Sequence, residues 1–391
     1  MSDSLLTYVD RQGSNSRKWD GLDEHFDSSD LLPLWIADMD FKAPDFVIDA
    51  IKKSADFGVF GYKKTPEEWF EAIIDWEKRN HNYDIKKEWI CSSPGVVSGF
   101  SWILQCMTEA DDSVIIFAPV YYPFAHAIVD NGRKLIESEL VRVKDTYEME
   151  LADFESKVSE NDVKLCIFCS PHNPCGRVWK KDELKQFLDI CKKHSVKVIS
   201  DEIHQDFVFG NNRHIPTATV GDYSDILFTI SAPSKTFNLA GLQNSYLIIE
   251  NEQLRSAYLE HVNKIHLCSC NIFGYEATIA AYKHGQAWLD EVCSVIWKNY
   301  CYMKGELLAK FPKIWIADLQ GTYLMWVDLG AYVAADEIED FIQNACKIAP
   351  DFGSWFGGCN SSTCIRINLA TSYDNIIEAT KRISLGLLSR N

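Results

Sequence analysis

Residues 164–201, KLCIFCSPHNPCGRVWKKDELKQFLDICKKHSVKVISD, carry the pattern that decides the fold. Two apolar runs, 164–169 and 196–200, have the length of strands and flank a segment with helical periodicity at 181–194. The apolar side chains that recur on one face of this helix are Leu184, Phe187, Leu188 and Cys191. Continuous apolar strands separated by an amphipathic helix indicate a parallel sheet that is covered by helices on both faces.

The same alternation continues outside this stretch. Further strand-like runs lie at 113–118, 226–230 and 245–249. After about residue 285 the pattern changes to a long helical stretch, two short strands and a closing helix, at 288–310, 321–329, 363–369 and from about 374. The sequence therefore predicts an α/β fold in three parts. These are an N-terminal segment at 1–50 that packs with the small domain, a large domain at 51–285 with a mostly parallel sheet, and a smaller α+β domain at 286–391.

The composition is that of a globular protein and excludes several classes. Of the 391 residues, 47% are hydrophobic and 24% are charged, which excludes a disordered or fibrous chain. The 39 Lys and Arg residues against 56 Asp and Glu leave a net charge of −17, which repels phosphate backbones and anionic membranes. We therefore expect no nucleic-acid partner and no membrane association.

The cysteines and the N-terminus predict a cytoplasmic protein. The 13 cysteines are odd in number and scattered through apolar runs, as reduced cytosolic thiols are. The N-terminus lacks the basic start and apolar middle of a signal peptide, and no apolar run approaches the roughly 20 residues that cross a bilayer. Cys166 and Cys169 form a C-x-x-C pair without a second pair at zinc spacing, so we interpret them as core residues and expect no bound metal.

Four polar residues follow the predicted strands at or just after the point where each strand ends. In chain order they are Asn173, Asp201, His204 and Lys235. Ligands bind at the carboxyl ends of strands in open α/β sheets, so these side chains are candidates for one site. A lysine that condenses with an aldehyde and an aspartate that keeps a pyridine nitrogen protonated suit pyridoxal phosphate. Taken singly, Asn173 can be a turn residue, Asp201 a helix cap and Lys235 a solvated charge.

Three motifs around these residues resemble fold-type I pyridoxal-phosphate enzymes of the class I/II aminotransferase superfamily. They are SPHNPCG at 170–176, SDEIH at 200–204 and SAPSKTFNLAGLQ at 231–243. Two further segments, LWIADMDF at 34–41 and FGY at 60–62, are similar to the MalY/PatB group of cystathionine β-lyases and cysteine C–S lyases. The resemblance covers about residues 30 to 370.

This resemblance implies a fold, a cofactor and a reaction. The large domain is expected to hold a mostly parallel, seven-stranded sheet of the aspartate-aminotransferase type, with pyridoxal 5′-phosphate as cofactor. The expected reaction is β-elimination of L-cystathionine or a related cysteine S-conjugate to a thiol, pyruvate and ammonia. The alternatives are an aminotransferase of the same superfamily and a regulatory protein that uses the fold as a binding module. A nucleotide-binding protein is disfavoured, because neither a P-loop nor a G-x-G-x-x-G turn occurs.

The resemblance also assigns roles around the cofactor ring. Lys235 resembles the catalytic lysine that forms the imine, Asp201 the partner of the pyridine nitrogen, and Asn173 the donor to the 3′-oxygen of the ring. His204 stands where many aminotransferases have a tyrosine, which is similar to the lyase group, and it could donate to the same oxygen. A packed histidine at a strand end is the other interpretation of His204.

The phosphate of the cofactor needs preorganised donors. Residues 94–97 open a helical stretch, and a helix start binds anions through its free N–H groups. The residues that resemble a phosphate site are Gly95, Val96, Val97, Ser231 and Ser234. Gln243 stands where typical aminotransferases have an arginine, which matches the lyase group. Tyr62 resembles the tyrosine that reaches the phosphate of the neighbouring subunit, so the resemblance implies a homodimer with a shared active site.

The substrate is expected to be a small amino acid held by its carboxylate. A carboxylate calls for a planar bidentate cation, which arginine supplies. Arg366 resembles this clamp, presented by the small domain, and a strand-surface arginine is its other interpretation. The backbone at Ala37 is a second expected contact, together with Asn173. Tyr121 resembles the aromatic residue that stacks on the cofactor ring and also faces the substrate, with Tyr122 as the competing choice.

Overall fold

The computed structural model describes residues 4–267 and 269–390. The strands are β1 Leu32–Pro33, β2 Ile90–Ser93, β3 Ser113–Ala118, β4 Lys134–Val143, β5 Thr146–Met149, β6 Val163–Cys169, β7 Lys197–Asp201, β8 Leu227–Ser231, β9 Ser245–Ile248, β10 Trp315–Ile316, β11 Leu324–Asp328, β12 Ile348–Ala349, β13 Asp351–Phe352 and β14 Cys364–Asn368. The helices are α1 Arg17–Asp20, α2 Asp45–Asp56, α3 Glu67–His81, α4 Val96–Met107, α5 Pro123–Asp130, α6 Leu151–Glu160, α7 Lys181–Lys193, α8 Pro233–Thr236, α9 Glu252–Lys264, α10 Ile272–His284, α11 Gln286–Lys310, α12 Ile338–Asp340 and α13 Tyr373–Leu388. In these two stretches of chain, no helix combines the length and the apolar character that a bilayer crossing requires.

The large sheet contains eight strands in the order β2-β9-β8-β7-β6-β3-β4-β5. Its centre, from β8 through β7, β6 and β3 to β4, is parallel, whereas β2, β5 and β9 pair antiparallel with their neighbours. The expected number was seven. The eighth strand arises because the chain turns back after β4 through Lys144, which has a left-handed φ of 55°, and β5 then pairs with β4 as a hairpin.

Helices cover both faces of this sheet, as the alternating pattern predicts. The face of α7 that carries Leu184 and Phe187 is fully buried. Because side chains alternate along a strand, Cys166 and Cys169 point to opposite faces of β6, and each belongs to a different apolar cluster. The C-x-x-C pair therefore packs in the core, and its two sulfur atoms do not meet.

The C-terminal part has its own antiparallel sheet, in the order β10-β11-β14-β13. The N-terminal segment is joined to this part by the parallel pair of β1 and β12. Helix α11 begins at Gln286, the first residue of the predicted small domain, while α2 crosses the predicted boundary at residue 50. The exact domain boundaries stay a prediction.

Candidate active site

The carboxyl ends of β3, β6, β7 and β8 meet at one edge of the large sheet because these four strands are neighbours and run parallel. The segments that follow them line a cavity of about 330 Å³. Every residue that the sequence assigns to the site lines this cavity except Ser231, Tyr62 and Arg366. The structure therefore brings most of the predicted residues together at the edge of the sheet where the rule on strand ends placed them.

Lys235 lies on the short helix α8, which follows β8 and begins with Pro233. Its Nζ donates a hydrogen bond of 2.5 Å to the carbonyl oxygen of Ala37. Burial is the main cause that lowers the pKa of Lys235 to about 8, and the nearby Arg366 charge acts in the same direction. A substantial fraction of this amine is therefore neutral slightly above neutral pH, which a nucleophile or a base requires.

Asp201 is the last residue of β7 and is buried. Burial raises the pKa of Asp201 to about 7. Two weaker effects lower it: the backbone N–H of Ile203 donates to Oδ1 at 3.1 Å, and Lys235 carries a positive charge nearby. A buried carboxylate with so little compensation gains stability from a cationic partner. The protonated nitrogen of a pyridine ring is such a partner.

His204 and Asn173 face the same cavity from neighbouring strand ends. Nδ1 of His204 is buried and makes no hydrogen bond with any other described residue. Burial lowers the pKa of His204 well below its usual range, and the charges of Lys235 and Arg366 add to this effect, so the ring is neutral. Oδ1 of Asn173 accepts from Arg366, which leaves the NH₂ group of Asn173 as the donor for a ligand.

The two tyrosines after β3 take different places. Tyr121 lines the cavity, and its backbone N–H donates to the carbonyl oxygen of Asn173 at 3.0 Å. The ring of Tyr122 packs instead against Phe356, with the ring centres 5.6 Å apart. Tyr121 is therefore the residue that can stack on a bound ring.

The other end of the cavity is formed by the start of helix α4. Gly95, Val96 and Val97 line it, and no side chain caps this helix start. Its first N–H groups are therefore available to an anion, with the helix dipole in the favourable direction. Ser234 also lines the cavity, whereas the hydroxyl of Ser231 donates to the carbonyl oxygen of Glu202 at 3.4 Å. The phosphate role of Ser231 stays a prediction.

Arg366 lies behind the cavity and is 2% exposed. Its Nη1 donates to Oδ1 of Asn173 at 3.0 Å, and its Nη2 donates to the carbonyl oxygen of Trp35 at 2.9 Å. The guanidinium also forms an ion pair with Asp351 and lies over the ring of Phe356. The predicted carboxylate clamp thus contacts Asn173, which lines the cavity, but does not line the cavity itself.

Two predicted residues behave differently from the rest. Ala37 reaches the cavity, and its carbonyl oxygen accepts from both Lys235 and Tyr323. A substrate carboxylate needs a donor, which the backbone at Ala37 can supply only through its N–H. Tyr62 is fully exposed and lines a separate depression with Phe57 and Val59. Within this one chain, Tyr62 does not approach the cavity.

Two functional candidates escaped the sequence reasoning. Tyr323 donates to the carbonyl oxygen of Ala37 at 2.8 Å, and its ring lies edge-on to His204. Asp351 pairs with Arg366 across the β13–β14 ladder. Tyr323 lies in a predicted strand, but no motif marks it, and β13 has only two residues, so no pattern predicts Asp351.

The residues present fit pyridoxal phosphate. The cavity offers an amine at Lys235, a buried carboxylate at Asp201, an unpartnered buried nitrogen on His204 and an uncapped helix start at the far end. These match the aldehyde, the ring nitrogen, the ring oxygen and the phosphate of that cofactor in turn.

Comparisons with known proteins agree with this fit. The aminotransferase class I and II family profile matches residues 29–383. Cystathionine beta-lyase PatB of Bacillus subtilis is 36% identical over 97% of this chain and 98% of its own length, and protein MalY of Escherichia coli is 35% identical over 82% of each. The crystal structure of cystalysin from Treponema denticola, which contains pyridoxal 5′-phosphate, superposes with a TM-score of 0.94 at 34% identity over the whole of both chains. The chain therefore belongs to the class I and II aminotransferase family.

Proposed function

We propose that this protein is a pyridoxal-phosphate-dependent C–S lyase, which cleaves L-cystathionine or a related cysteine thioether by β-elimination to a thiol, pyruvate and ammonia. The observation that carries the proposal is the convergence of Lys235 and Asp201 on one cavity that ends at the start of helix α4. The name of the Bacillus subtilis relative, cystathionine beta-lyase, supports the substrate class.

Pyridoxal phosphate, when bound, supplies a ring that withdraws the negative charge left on Cα after a substrate loses its proton. In this proposal Asp201 pairs with the ring nitrogen, and the Lys235 amine binds the aldehyde carbon. The NH₂ group of Asn173 and the neutral ring of His204 donate to the 3′-oxygen. The N–H groups at the start of α4, together with the Ser234 hydroxyl, hold the phosphate, and Tyr121 stacks on the ring.

Lys235 is the residue that moves the proton. Its lowered pKa of about 8, caused mainly by burial, gives a neutral amine that can accept the Cα proton of a substrate at mildly alkaline pH. Departure of the thiolate from Cβ then needs no further base.

Arg366 is the proposed clamp for the substrate α-carboxylate. Its guanidinium is held from two sides by Asn173 and by the carbonyl oxygen of Trp35, which fixes the plane of the group. A fixed planar fork matches a carboxylate, and lysine cannot reproduce it. The clamp orients the substrate so that its Cα proton points toward Lys235.

The experiment that tests the proposal is an assay for pyruvate from L-cystathionine with and without a keto acid. A lyase releases pyruvate and a thiol without a keto-acid acceptor, whereas an aminotransferase requires one. Acceptor-dependent turnover without pyruvate release would contradict the proposal. L-serine, which carries a poor leaving group at the same carbon, is the matched control and should give far less pyruvate.

The proposal includes a homodimer with a shared active site. The segment around the fully exposed Tyr62 also exposes Phe57, Val59 and Phe60, each by more than 60%. Several large apolar side chains this close together are typical of an interface. A second copy of this chain would bury them and bring Tyr62 to the partner's phosphate site. Light scattering gives the oligomeric state, and Tyr62→Phe should weaken cofactor binding without dissociating the dimer.

We further propose that the protein works in the reducing environment of the cytoplasm. The twelve cysteines of the described residues carry free thiols, and most of them are buried in the core. Free buried thiols are typical of proteins from reducing compartments. A count of titratable thiols in the denatured protein, with and without reductant, checks this, because a disulfide would make the two counts differ.

A further inference from the structure

Asp351 is a buried acid that the proposed reaction does not use. Its side chain is about 1% exposed, and apart from Arg366 no residue of the described chain donates a hydrogen bond to either carboxylate oxygen. Its only charged partner within ion-pair distance, among the residues that the structure describes, is Arg366. A buried carboxylate with a single partner depends on that partner for its charge.

The donors of Arg366 show what a substrate must displace. A guanidinium offers two edges for a bidentate carboxylate, one formed by Nε and Nη2 and the other by Nη1 and Nη2. Both edges therefore need Nη2. In the structure Nη2 already donates to the carbonyl oxygen of Trp35 and faces Asp351.

Of these two partners, the Asp351 carboxylate is the one that can move away from Nη2 of Arg366. The backbone beside Trp35 is fixed, because the N–H of Leu34 donates to Ala349 and the carbonyl oxygen of Leu34 accepts from Asn368, both at 2.8 Å. The backbone of Asp351 is paired with that of Arg366 across β13 and β14, so the carboxylate can leave the guanidinium by rotation of the Asp351 side chain. A substrate carboxylate on this edge would also lie against the Asp351 carboxylate, and two like charges on one cation in a buried site repel strongly.

We propose that Asp351 occupies the substrate-carboxylate position on Arg366 in the empty site, and takes up one proton when a substrate carboxylate replaces it. The inference rests on the clamp role of Arg366 in the proposed function. The charges balance, because the amino-acid carboxylate brings one negative charge and Asp351 loses one by accepting a proton from solvent. Asp351 is thus a specificity-determining residue that makes the affinity for amino acids depend on pH.

The surroundings of Asp351 permit this proton uptake. Arg366, Tyr121 and Tyr122 are the titratable groups that face it in the described chain. Burial raises the pKa of both tyrosines, so they stay neutral. Burial also raises the pKa of Asp351 to about 6, against the lowering effect of Arg366. Proton uptake by Asp351 is therefore accessible at neutral pH.

The test compares the cofactor-loaded wild-type protein with Asp351→Asn. L-Alanine, which has no leaving group on Cβ, is titrated into each while the visible absorption of the bound cofactor is followed. If binding requires a protonated Asp351 with a pKa of about 6, Asp351→Asn should bind L-alanine about 100-fold more tightly than wild type at pH 8. The difference should shrink to about twofold at pH 6.

Two controls show whether the change in affinity depends on the substrate carboxylate and on Asp351 itself. L-Alaninamide has no carboxylate, so its affinity should be equal in both proteins. Asp328 lies on β11 of the same small sheet and forms a 2.7 Å ion pair, outside the cavity, with Arg142 on β4; Asp328→Asn removes this pair and should leave the affinity for L-alanine unchanged. Weaker binding of L-alanine by Asp351→Asn, or an affinity ratio that is constant with pH, would overturn the inference. Loss of the lyase function would appear separately, as missing pyruvate in the cystathionine assay.

Discussion

The two halves of the active site differ in how their polar groups are paired. In the cofactor half, the Asp201 carboxylate has little compensation, Nδ1 of His204 has no partner in the described chain, and the start of α4 carries no side-chain cap. In the substrate half, the Arg366 guanidinium is already engaged by Asn173, Trp35 and Asp351. The proposed cofactor half therefore holds polar groups that lack a partner in the described chain, while the cation of the proposed substrate half already has a counter-ion in Asp351, although Nε of Arg366 makes no hydrogen bond there.

The largest expected effect tests the cofactor half. Lys235→Ala removes both the proposed attachment point of the cofactor and the base, so pyruvate release from L-cystathionine should fall by at least about 1,000-fold. The visible absorption of the purified protein should change as well. Lys264→Ala, at an exposed lysine paired with Glu260, is the matched control and should behave as wild type. A Lys235→Ala protein with near-normal turnover would exclude this lysine from catalysis.

The substrate half is tested by removing one partner of its buried ion pair and measuring the free energy of unfolding. Arg366→Met leaves Asp351 buried without a cation, which should lower the free energy of unfolding by about 3 to 5 kcal/mol at pH 8. The double variant Arg366→Met with Asp351→Asn should recover most of this loss. Denaturant unfolding measures both. The more exposed helical pair of Arg382 and Glu378 is the control, since Arg382→Met should cost about 1 kcal/mol or less. Equal losses in the single and double variants would mean that Asp351 carries no buried charge.

A smaller effect is expected at the unpartnered nitrogen of the cofactor half. His204→Phe removes a proposed donor to the cofactor and should weaken cofactor binding about five- to tenfold, the equivalent of one hydrogen bond. Because burial holds the pKa of His204 far below its usual range, this loss should not vary between about pH 6 and pH 8. Dialysis of the loaded protein, followed by absorbance, measures the affinity. A loss that grows as the pH falls would indicate a charged His204 instead.

The smallest effect separates two serines that the sequence treats alike. Ser234 lines the cavity, whereas Ser231 donates to the carbonyl oxygen of Glu202. Ser234→Ala should therefore weaken cofactor binding about fivefold, while Ser231→Ala should change it less than about twofold. The same dialysis experiment gives both values. An equal loss of cofactor affinity in the two variants would mean that Ser231 binds the phosphate as Ser234 does.

Local sequence patterns predicted the strands that are buried on both faces of the sheet. The five predicted strands match β3, β6, β7, β8 and β9 within one or two residues, because each is a short apolar run buried on both faces. Strand β4, KLIESELVRV, was missed. It lies next to the edge of the sheet and is buried only in part, so polar residues interrupt it and it lacks a continuous apolar run.

The two halves of the site also differ in how far they could be predicted from the sequence. The motifs at 170–176, 200–204 and 231–243 predicted residues that line the cavity, because each motif lies at or directly after the end of a strand. The partner of Arg366 could not be predicted. Asp351 precedes Arg366 by 15 residues and becomes its neighbour only when β13 folds back along β14.

The sequence by itself predicted the type of fold and the edge of the sheet at which the candidate residues meet, because these depend on strand order and on residues at strand ends. The tertiary structure alone decided that Arg366 meets Asp351, Asn173 and Trp35, and that Tyr62 faces away from the cavity of its own chain. Such pairings depend on the register of short strands and on contacts between distant segments. No local pattern of residues encodes them.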